Sequence, residues 1–428
     1  MKRIVYLLLC SVLLVSMMGL TIAENVETPV ELVEIAPIKA IAISEVFELG
    51  QAISAVALEF PEEIPAGTAW PLIGISPFTA VGFDQGAYEM KNLAVASTYV
   101  NNSLDLYDAQ ETGKYLIVDF SDTLTAVANK TRLDSSIQLT WEEDIPVGSD
   151  KVIKAGSIRT TEDVSYLIDD FKLDTFTGSE NRPFKYRLFV PEIKEGKKYP
   201  MFVFLHGGGE IGEDGFMHVS ANASPIEFAK PASQAVNPCF VLAPQSPQGG
   251  WPIDGIKELI DNIMREYDAV DGARISLSGL SYGSGGTVSL MTKYPEMFAA
   301  AVPVAGGSFK IDAYDTIKDK SVWIIMAADE SEGSVNNAKE SVAAYEEKGH
   351  KVLYGTWNGL LRGEDSRIMA QKLIDEIEET GAKMILTFYI KGTTIFYPHL
   401  SWNATYSNEA FRDWLLSQAQ EIPYEPAK

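Results

Sequence analysis

The sequence has very little cysteine, and this shortage limits how the protein can be stabilised. Only two of its 428 residues are cysteines, Cys10 and Cys239. Because Cys10 lies in the predicted leader described below, the mature chain is expected to form no internal disulfide. Its stability must then come from packing, which a chain of this length permits.

Positive charge is also scarce. Lysine and arginine number 35 against 59 aspartates and glutamates, for a formal net charge of −24. Removal of Lys2 and Arg3 with the leader would subtract two positive charges and bring the net charge to −26. Such an acidic chain repels nucleic acids and anionic lipid surfaces, so nucleic-acid binding is excluded as its function.

Long hydrophobic runs are absent except at the N-terminus. Lys2 and Arg3 precede an apolar run that ends in "TIA". This pattern predicts a secretory signal peptide over residues 1–23, cleaved after about Ala23, and hence a secreted, extracellular or cell-surface protein. The alternative is an uncleaved anchor, but the apolar run is short for a membrane span. No stable membrane insertion is expected after cleavage.

The rest of the chain divides into two regions that differ in the pattern of their apolar residues. Residues 25–165 contain short alternating runs such as "AISAVALEF" and "SSIQLTW", separated by turn-rich pieces. They predict an antiparallel β-sandwich that serves packing or substrate presentation. Residues 172–428 alternate nearly continuous apolar runs with helical patterns, which predicts a doubly wound, mostly parallel α/β domain. Ligands in such sheets bind beyond the carboxyl ends of the strands.

A candidate nucleophile lies at a strand-to-helix junction of the second region. "RISLSGL" is typical of a strand and "GSGGTVSLMTKY" of a helix, and between them Gly279-Leu280-Ser281-Tyr282-Gly283 forms a Gly-x-Ser-x-Gly pattern. Small residues on both sides let strand and helix close tightly and place Ser281 in a strained, exposed turn. A phosphate-binding loop fits poorly, because no Lys-Ser or Lys-Thr follows the glycines.

The general base follows by elimination. The chain has four histidines, and in a fold with a Gly-x-Ser-x-Gly turn the histidine comes after the serine and the acid. His350 begins a strand and so lies at the wrong edge of the sheet. His399 follows a strand, in the loop "PHLSWN", and is assigned as the general base. His206 and His218 precede the serine, and His206 is expected to support a loop.

The sequence offers two adjacent candidates for the acid. The run "SVWIIMAADESEGSV" predicts a strand that ends in two adjacent carboxylates, Asp329 and Glu330, of which only one can face His399. We prefer Asp329 because its short side chain suits a tight turn. Glu330 is the main alternative for the acid. Glu364 and Asp365 are the least favoured candidates.

Further candidates complete the predicted site. Consecutive glycines after "FVFLH" let backbone N–H groups approach an oxyanion, so the expected donors are Tyr282 and either Gly207 or Gly208. Trp251 and Trp402 are candidate walls of an apolar acyl pocket, with core or rim packing as the alternative. No His-Glu-x-x-His motif or cysteine–histidine cluster is present, so no metal or other cofactor is expected.

Together these motifs resemble a known group of enzymes. "LHGGGE", "FVLAPQSP", "GLSYG", "YPEMFAAAVPVAGG" and "PHLSW…TYSNEAFRDWLL" look like the secreted esterases related to polyhydroxybutyrate depolymerases, over most of residues 185–420. Some members carry an N-terminal immunoglobulin-like domain, which fits residues 25–165. The resemblance implies an α/β-hydrolase fold with Ser281 and His399 in the catalytic triad.

The sequence departs from this family in three places. Met326 and Ala327 stand where a histidine and a glycine often precede the acid, so the family pattern does not select between Asp329 and Glu330. Tyr282-Gly283-Ser284 follows the serine where Met-Gly-Gly is common. Residues near 359–397 resemble an insertion that carries an extra helix and strand.

The sequence therefore predicts a serine esterase that hydrolyses carboxylic esters, with short- to medium-chain acyl esters as expected substrates, small or polymeric. Ser281 attacks the carbonyl, His399 moves the proton and Asp329 orients the imidazole. Two alternatives remain: a peptidase with the same triad, and a cell-surface binding protein with an inactive hydrolase domain.

Overall fold

The described residues up to position 165 are built mainly from β-strands. The computed structural model describes residues 32–69, 76–84, 89–125, 135–310 and 313–426, so the predicted signal peptide at 1–23 lies outside the described residues. The strands up to residue 165 are β1 Val33–Glu34, β2 Lys39–Phe47, β3 Gly50–Pro65, β4 Phe78–Asp84, β5 Glu89–Leu93, β6 Val95–Asn101, β7 Thr112–Thr125, β8 Ser135–Trp141, β9 Ile145–Val147, β10 Lys151–Ile153, β11 Gly156–Arg159 and β12 Glu162–Ser165.

These strands form three sheets, and the two larger sheets enclose an apolar core. A five-stranded sheet has the order β12-β2-β3-β7-β6, a four-stranded sheet the order β11-β8-β4-β5, and a small sheet the order β1-β10-β9. Most pairs are antiparallel, as the alternating pattern predicts, but β12 pairs with β2 and β1 with β10 in parallel. Alternate residues such as Val56, Leu58 and Leu139 face the core between the two larger sheets.

The second half is organised around one nine-stranded mixed sheet. Its order is β13-β14-β16-β15-β17-β18-β19-β21-β20, and β14 runs antiparallel to both of its neighbours while the strands from β16 onwards are parallel. The strands are β13 Lys172–Thr177, β14 Pro183–Phe189, β15 Tyr199–Leu205, β16 Phe240–Pro244, β17 Val270–Leu280, β18 Ala300–Val304, β19 Ser321–Ala327, β20 Val352–Trp357 and β21 Met384–Tyr389.

Helices connect these strands and supply the side chains that cover the sheet. They are α1 Met217–Ser220, α2 Ile226–Ala229, α3 Pro231–Val236, α4 Ile253–Glu266, α5 Tyr282–Lys293, α6 Tyr314–Ile317, α7 Glu332–Glu347, α8 Gly363–Thr380, α9 Ser401–Tyr406 and α10 Glu409–Ser417. Short 3-10 turns occur at Ala66–Thr68, Gly208–Glu210, Pro295–Met297 and Pro398–Leu400.

Both faces of the large sheet are buried, which explains the continuous apolar runs of its strands. Along β15, Phe202 and Phe204 enter one core cluster, whereas Met201, Val203 and Leu205 enter the other. The covering helices bury one stripe each. In α4 this stripe consists of positions spaced by three and four residues, namely Ile256, Leu259, Ile260 and Ile263.

The segment that resembles an insertion is part of the sheet itself. Residues 359–397 contain a helix and a strand, as predicted, but the strand β21 lies between β19 and β20. It therefore lies one strand in from the edge of the parallel layer, and β20 is the edge strand.

The hairpin between β2 and β3 reaches the second region. Glu48 at its tip accepts a hydrogen bond from Arg362, with 2.6 Å between Nε and Oε1. Val46 joins the same buried cluster as Ile226 and Phe171. The two regions thus meet through a charged pair and an apolar contact.

Cys239 comes just before β16 and is completely buried. Burial raises the pKa of its thiol to about 12. Its Sγ accepts a hydrogen bond from Nε2 of Gln234 at 3.4 Å. This environment makes Cys239 a packing residue without thiolate chemistry.

Candidate active site

Ser281 lies in the sharp turn between β17 and α5. Its backbone has φ 53° and ψ −113°, a conformation that residues with a side chain rarely adopt. A Cβ at Gly283 would lie 2.0 Å from the carbonyl oxygen of Leu205, and a Cβ at Gly279 would lie 2.3 Å from that of Gly283. Glycine at both positions therefore lets α5 approach the strands closely, and the turn holds Ser281 at the carboxyl edge of the sheet.

His399 meets this serine from the loop after β21. Its Nε2 lies 2.7 Å from Oγ of Ser281, a hydrogen-bond distance. The residue sits in the 3-10 turn Pro398–Leu400, which fixes the direction of its side chain. The structure therefore brings together the two residues that the sequence singled out as nucleophile and base.

The carboxylate that meets His399 belongs to Glu330, not to Asp329. Oε2 of Glu330 lies 2.9 Å from Nδ1 of the imidazole, and Oε1 accepts the Ser331 N–H at 3.0 Å. The glutamate side chain is only 10% exposed. The preference for Asp329 is thus corrected: the turn after β19 directs the second of the two acidic side chains toward the histidine.

Asp329 is placed at a different task. Its Oδ2 accepts the N–H of Gly392 at 2.9 Å, in the loop that leads to His399. The neighbouring acids consequently act on the same loop from two sides, one through the imidazole and one through the backbone. Glu364 and Asp365 lie in the first turn of α8.

The glycine loop after β15 is held by His206. This ring is fully buried, and its Nε2 accepts the N–H of Ser246 at 2.8 Å. Its Nδ1 must then carry the hydrogen, which it donates to the carbonyl oxygen of Gly207 at 2.7 Å. His206 therefore supports the loop through both of its ring nitrogens.

The same bond fixes the direction of the next peptide group. The Gly207–Gly208 peptide is trans, so its N–H points opposite to the carbonyl that His206 holds. The Gly208 N–H is consequently turned away from His206. A Cβ at Gly208 would lie 3.8 Å from Cβ of Tyr282, so the loop and the start of α5 face each other.

Tyr282 supplies a second N–H at this edge. It is the first residue of α5, where backbone N–H groups have no carbonyl partner within the helix. The helix N-terminus also favours negative charge. Gly208 and Tyr282 together could bind an oxyanion from two sides.

Gln245 is a site residue that the sequence analysis missed. Its Nε2 donates to the Glu210 carbonyl oxygen at 3.0 Å and to Oδ2 of Asp214 at 2.9 Å, while its Oε1 accepts the Gly215 N–H at 2.8 Å. These bonds fasten the glycine loop to the end of β16. The run "FVLAPQSP", already part of the family resemblance, was the available signal.

The two tryptophans occupy different positions. Trp251 is half-buried and stacks on the ring of Tyr282 with 5.5 Å between centroids, and its Nε1 donates to the Tyr282 carbonyl oxygen at 3.3 Å. It can form a wall of the site. Trp402 is buried and meets the His399 ring edge-on at 5.2 Å. Trp402 therefore packs behind the imidazole, the alternative that the sequence left open.

Within the described ranges, no group of three or more histidine, cysteine, aspartate or glutamate side chains is arranged to hold a metal ion. Among the helices of the described residues, none is long and apolar enough to cross a membrane.

Comparison with known proteins identifies the N-terminal region. Residues 39–167 match the family model described as the esterase Ig-like N-terminal domain. These are the strands of the sandwich from β2 onwards, together with the two residues that follow β12.

Similarity also extends to the second region. A crystal structure of a thermostable esterase superposes with a TM-score of 0.71 at 29% sequence identity, covering 90% of this chain and all of that one. Poly(3-hydroxyalkanoate) depolymerase C of Paucimonas lemoignei is 40% identical over 55 residues, which are 13% of this chain and 13% of the depolymerase. The matched part is thus a small fraction of that relative's length. These similarities support a carboxylic ester hydrolase with an α/β-hydrolase-like fold and an Ig-like N-terminal domain.

Proposed function

We propose that this chain is a serine esterase that cleaves carboxylic esters through an acyl-enzyme, on a doubly wound hydrolase domain spanning residues 172–428. One observation carries the proposal: His399 lies within hydrogen-bond distance of Ser281 through Nε2 and of Glu330 through Nδ1. This order of contacts is what nucleophile activation requires.

The reaction follows from these contacts. His399 Nε2 takes the proton of Ser281 as Oγ attacks the ester carbonyl carbon. Glu330 accepts the Nδ1–H, which keeps Nε2 free to receive that proton and stabilises the imidazolium. The N–H groups of Gly208 and Tyr282 stabilise the oxyanion of the tetrahedral intermediate. The proton then passes to the leaving alcohol, and water releases the acyl group by the reverse sequence.

The proposed substrates are short- to medium-chain acyl esters, free or within a polymer. We also propose that the chain is exported, with cleavage after about Ala23, and that residues 25–165 form a separate non-catalytic domain.

A ladder of p-nitrophenyl esters, from acetate to long chains, tests the function on the purified mature protein. Ser281→Ala and His399→Ala are expected to lower kcat by about 10⁴-fold or more, because they remove the nucleophile and the base. Circular dichroism of each variant checks that the fold is intact. Full activity in Ser281→Ala would refute the proposal, and cleavage of peptides without cleavage of any ester would assign a peptidase instead.

A further inference from the structure

The loop that leads to His399 exposes large apolar side chains. Phe396 is 75% exposed and Tyr397 53% exposed. Because three residues span at most about 11 Å, Cα of Phe396 lies within that distance of Cα of His399. Exposed apolar groups that cluster beside a reactive centre are typical of a ligand-binding surface.

Phe396 is also held in a strained conformation. Its φ is 58°, in the left-handed region that bulky residues rarely occupy. The preceding residue, Ile395, packs against the buried core, and Tyr397 N–H donates to the Ile395 carbonyl oxygen at 2.7 Å. The backbone thus turns sharply at Phe396, so that one side chain is inward and the next is in solvent. Strain of this kind persists where the surrounding structure enforces it.

Contacts on both sides enforce the shape of this loop. Asp329 holds Gly392, and Thr393 donates through Oγ1 to the Ile390 carbonyl oxygen at 2.6 Å. The hydroxyl of Thr393 also accepts the Gly359 N–H at 2.9 Å. The loop is therefore a built surface, fixed to the turn after β20.

That turn adds a third exposed apolar residue. Leu360 is 51% exposed, next to the Gly359 that contacts Thr393. Arg362 donates to the Gly359 and Leu361 carbonyl oxygens at 2.8 Å and to Glu48, which fixes the turn. We name Leu360, Phe396 and Tyr397 the apolar rim.

We propose that the apolar rim binds an apolar chain of the ester, on its acyl or its alcohol side, and makes the enzyme prefer an ester with a medium-length chain on that side over methyl acetate. This inference rests on the proposed function. The occupant is the substrate because the rim adjoins His399. The surface that three side chains offer is far smaller than the roughly 800 Å² per partner that a stable protein interface needs.

Initial rates in a pH-stat with methyl acetate, methyl octanoate and octyl acetate test the rim. Phe396→Ala is expected to lower kcat/KM about tenfold for whichever octyl-chain ester the rim binds, because the variant lacks the ring that contacts that chain. The rate on methyl acetate stays unchanged. Ile422→Ala is the matched control, since Ile422 is 82% exposed and lies beyond α10 near the amino edge of the sheet.

Phe396→Gly separates the ring from the backbone. Glycine adopts the left-handed conformation without strain, so this variant removes the ring and relieves the turn. An equal loss in both variants supports binding by the ring. The inference would be overturned if the ratio of kcat/KM on the octyl-chain esters to kcat/KM on methyl acetate is unchanged in both variants. It would also be overturned if Phe396→Ala lowers this ratio and Phe396→Gly does not. Either result would leave the esterase proposal intact. Absence of Ser281-dependent hydrolysis on all three esters would overturn both.

Discussion

The two edges of the nine-stranded sheet are built differently. Among the described residues of the second region, four that are not glycine have positive φ, and all of them lie at the carboxyl edge of the parallel strands: Asn181, Ser281, Ala305 and Phe396. At the amino edge, described residues are instead joined by ordinary pairs. Arg274 binds Asp271 at 2.6 Å, and Gln420 binds the Gly272 and Glu296 carbonyl oxygens and Lys320.

The strained backbone among the described residues of the second region is therefore concentrated at the carboxyl edge of its sheet. Strain in the folded backbone lowers the free energy of unfolding. It persists where the surrounding structure enforces it, as at functional sites. The amino edge carries no proposed chemistry, and its contacts can all favour stability. Changes at the carboxyl edge should accordingly alter activity most, and changes at the amino edge should alter stability alone.

The largest expected effect concerns the two neighbouring acids. Glu330→Gln removes the carboxylate that orients His399 and should lower kcat by about 10⁴-fold. Asp329→Asn keeps an oxygen that can accept the Gly392 N–H, so its kcat should stay close to that of the unmodified protein. Rates on a p-nitrophenyl ester at neutral pH measure both. The reverse ranking would restore Asp329 as the acid.

A large loss of stability is expected from Gly283→Ala. Its Cβ would collide with the Leu205 carbonyl oxygen, so α5 must move away from β15, which should cost about 3 kcal/mol or more in free energy of unfolding. Gly285→Ala is the matched control in the same helix, where a Cβ meets nothing within 4 Å. This control should gain up to about 1 kcal/mol, because alanine favours helix. Urea denaturation compares the two, and equal stabilities would contradict the close approach.

Ser281→Gly should separate stability from activity. Glycine accepts the backbone angles of this turn, so relief of strain should raise the free energy of unfolding by about 1–2 kcal/mol while hydrolysis is lost. Ser281→Ala removes the same hydroxyl and keeps the strain, which makes it the control. If glycine and alanine variants unfold at the same urea concentration, the strain is not a cost to the fold.

The smallest effect is expected at the amino edge. Gln420→Ala removes the bonds to Gly272, Glu296 and Lys320, and should lower the free energy of unfolding by about 1 kcal/mol because this side chain is only partly buried. Its kcat/KM should not change. A drop in kcat/KM would show that the two edges are coupled.

The sequence was sufficient for the residues whose positions depend on chain order. The pairing of Ser281 with His399 could be predicted, because the strand-turn-helix pattern fixes one and elimination among four histidines fixes the other. The choice between Asp329 and Glu330 could not, since adjacent residues after a strand point in different directions. A local turn, with Glu330 N–H bonded to the Ala327 carbonyl oxygen at 3.2 Å, decides it.

Sheet order was similarly beyond local patterns. The single run "KVIKAGSI", residues 151–158, contributes to both β10 and β11, which belong to two different sheets. β21 follows β20 along the chain but lies between β19 and β20, because tertiary pairing rather than sequence neighbourhood selects the partner. The strand content could be predicted, and these pairings could not.

The burial of Cys239 makes its thiol a native probe of local unfolding. Of the cysteines, it alone lies among the described residues, and in the folded chain its thiol is out of reach of reagents. A thiol dye should label it only in molecules whose second region has opened around β16. The rate of labelling then measures how often those openings occur in the unmodified mature chain, without an introduced probe.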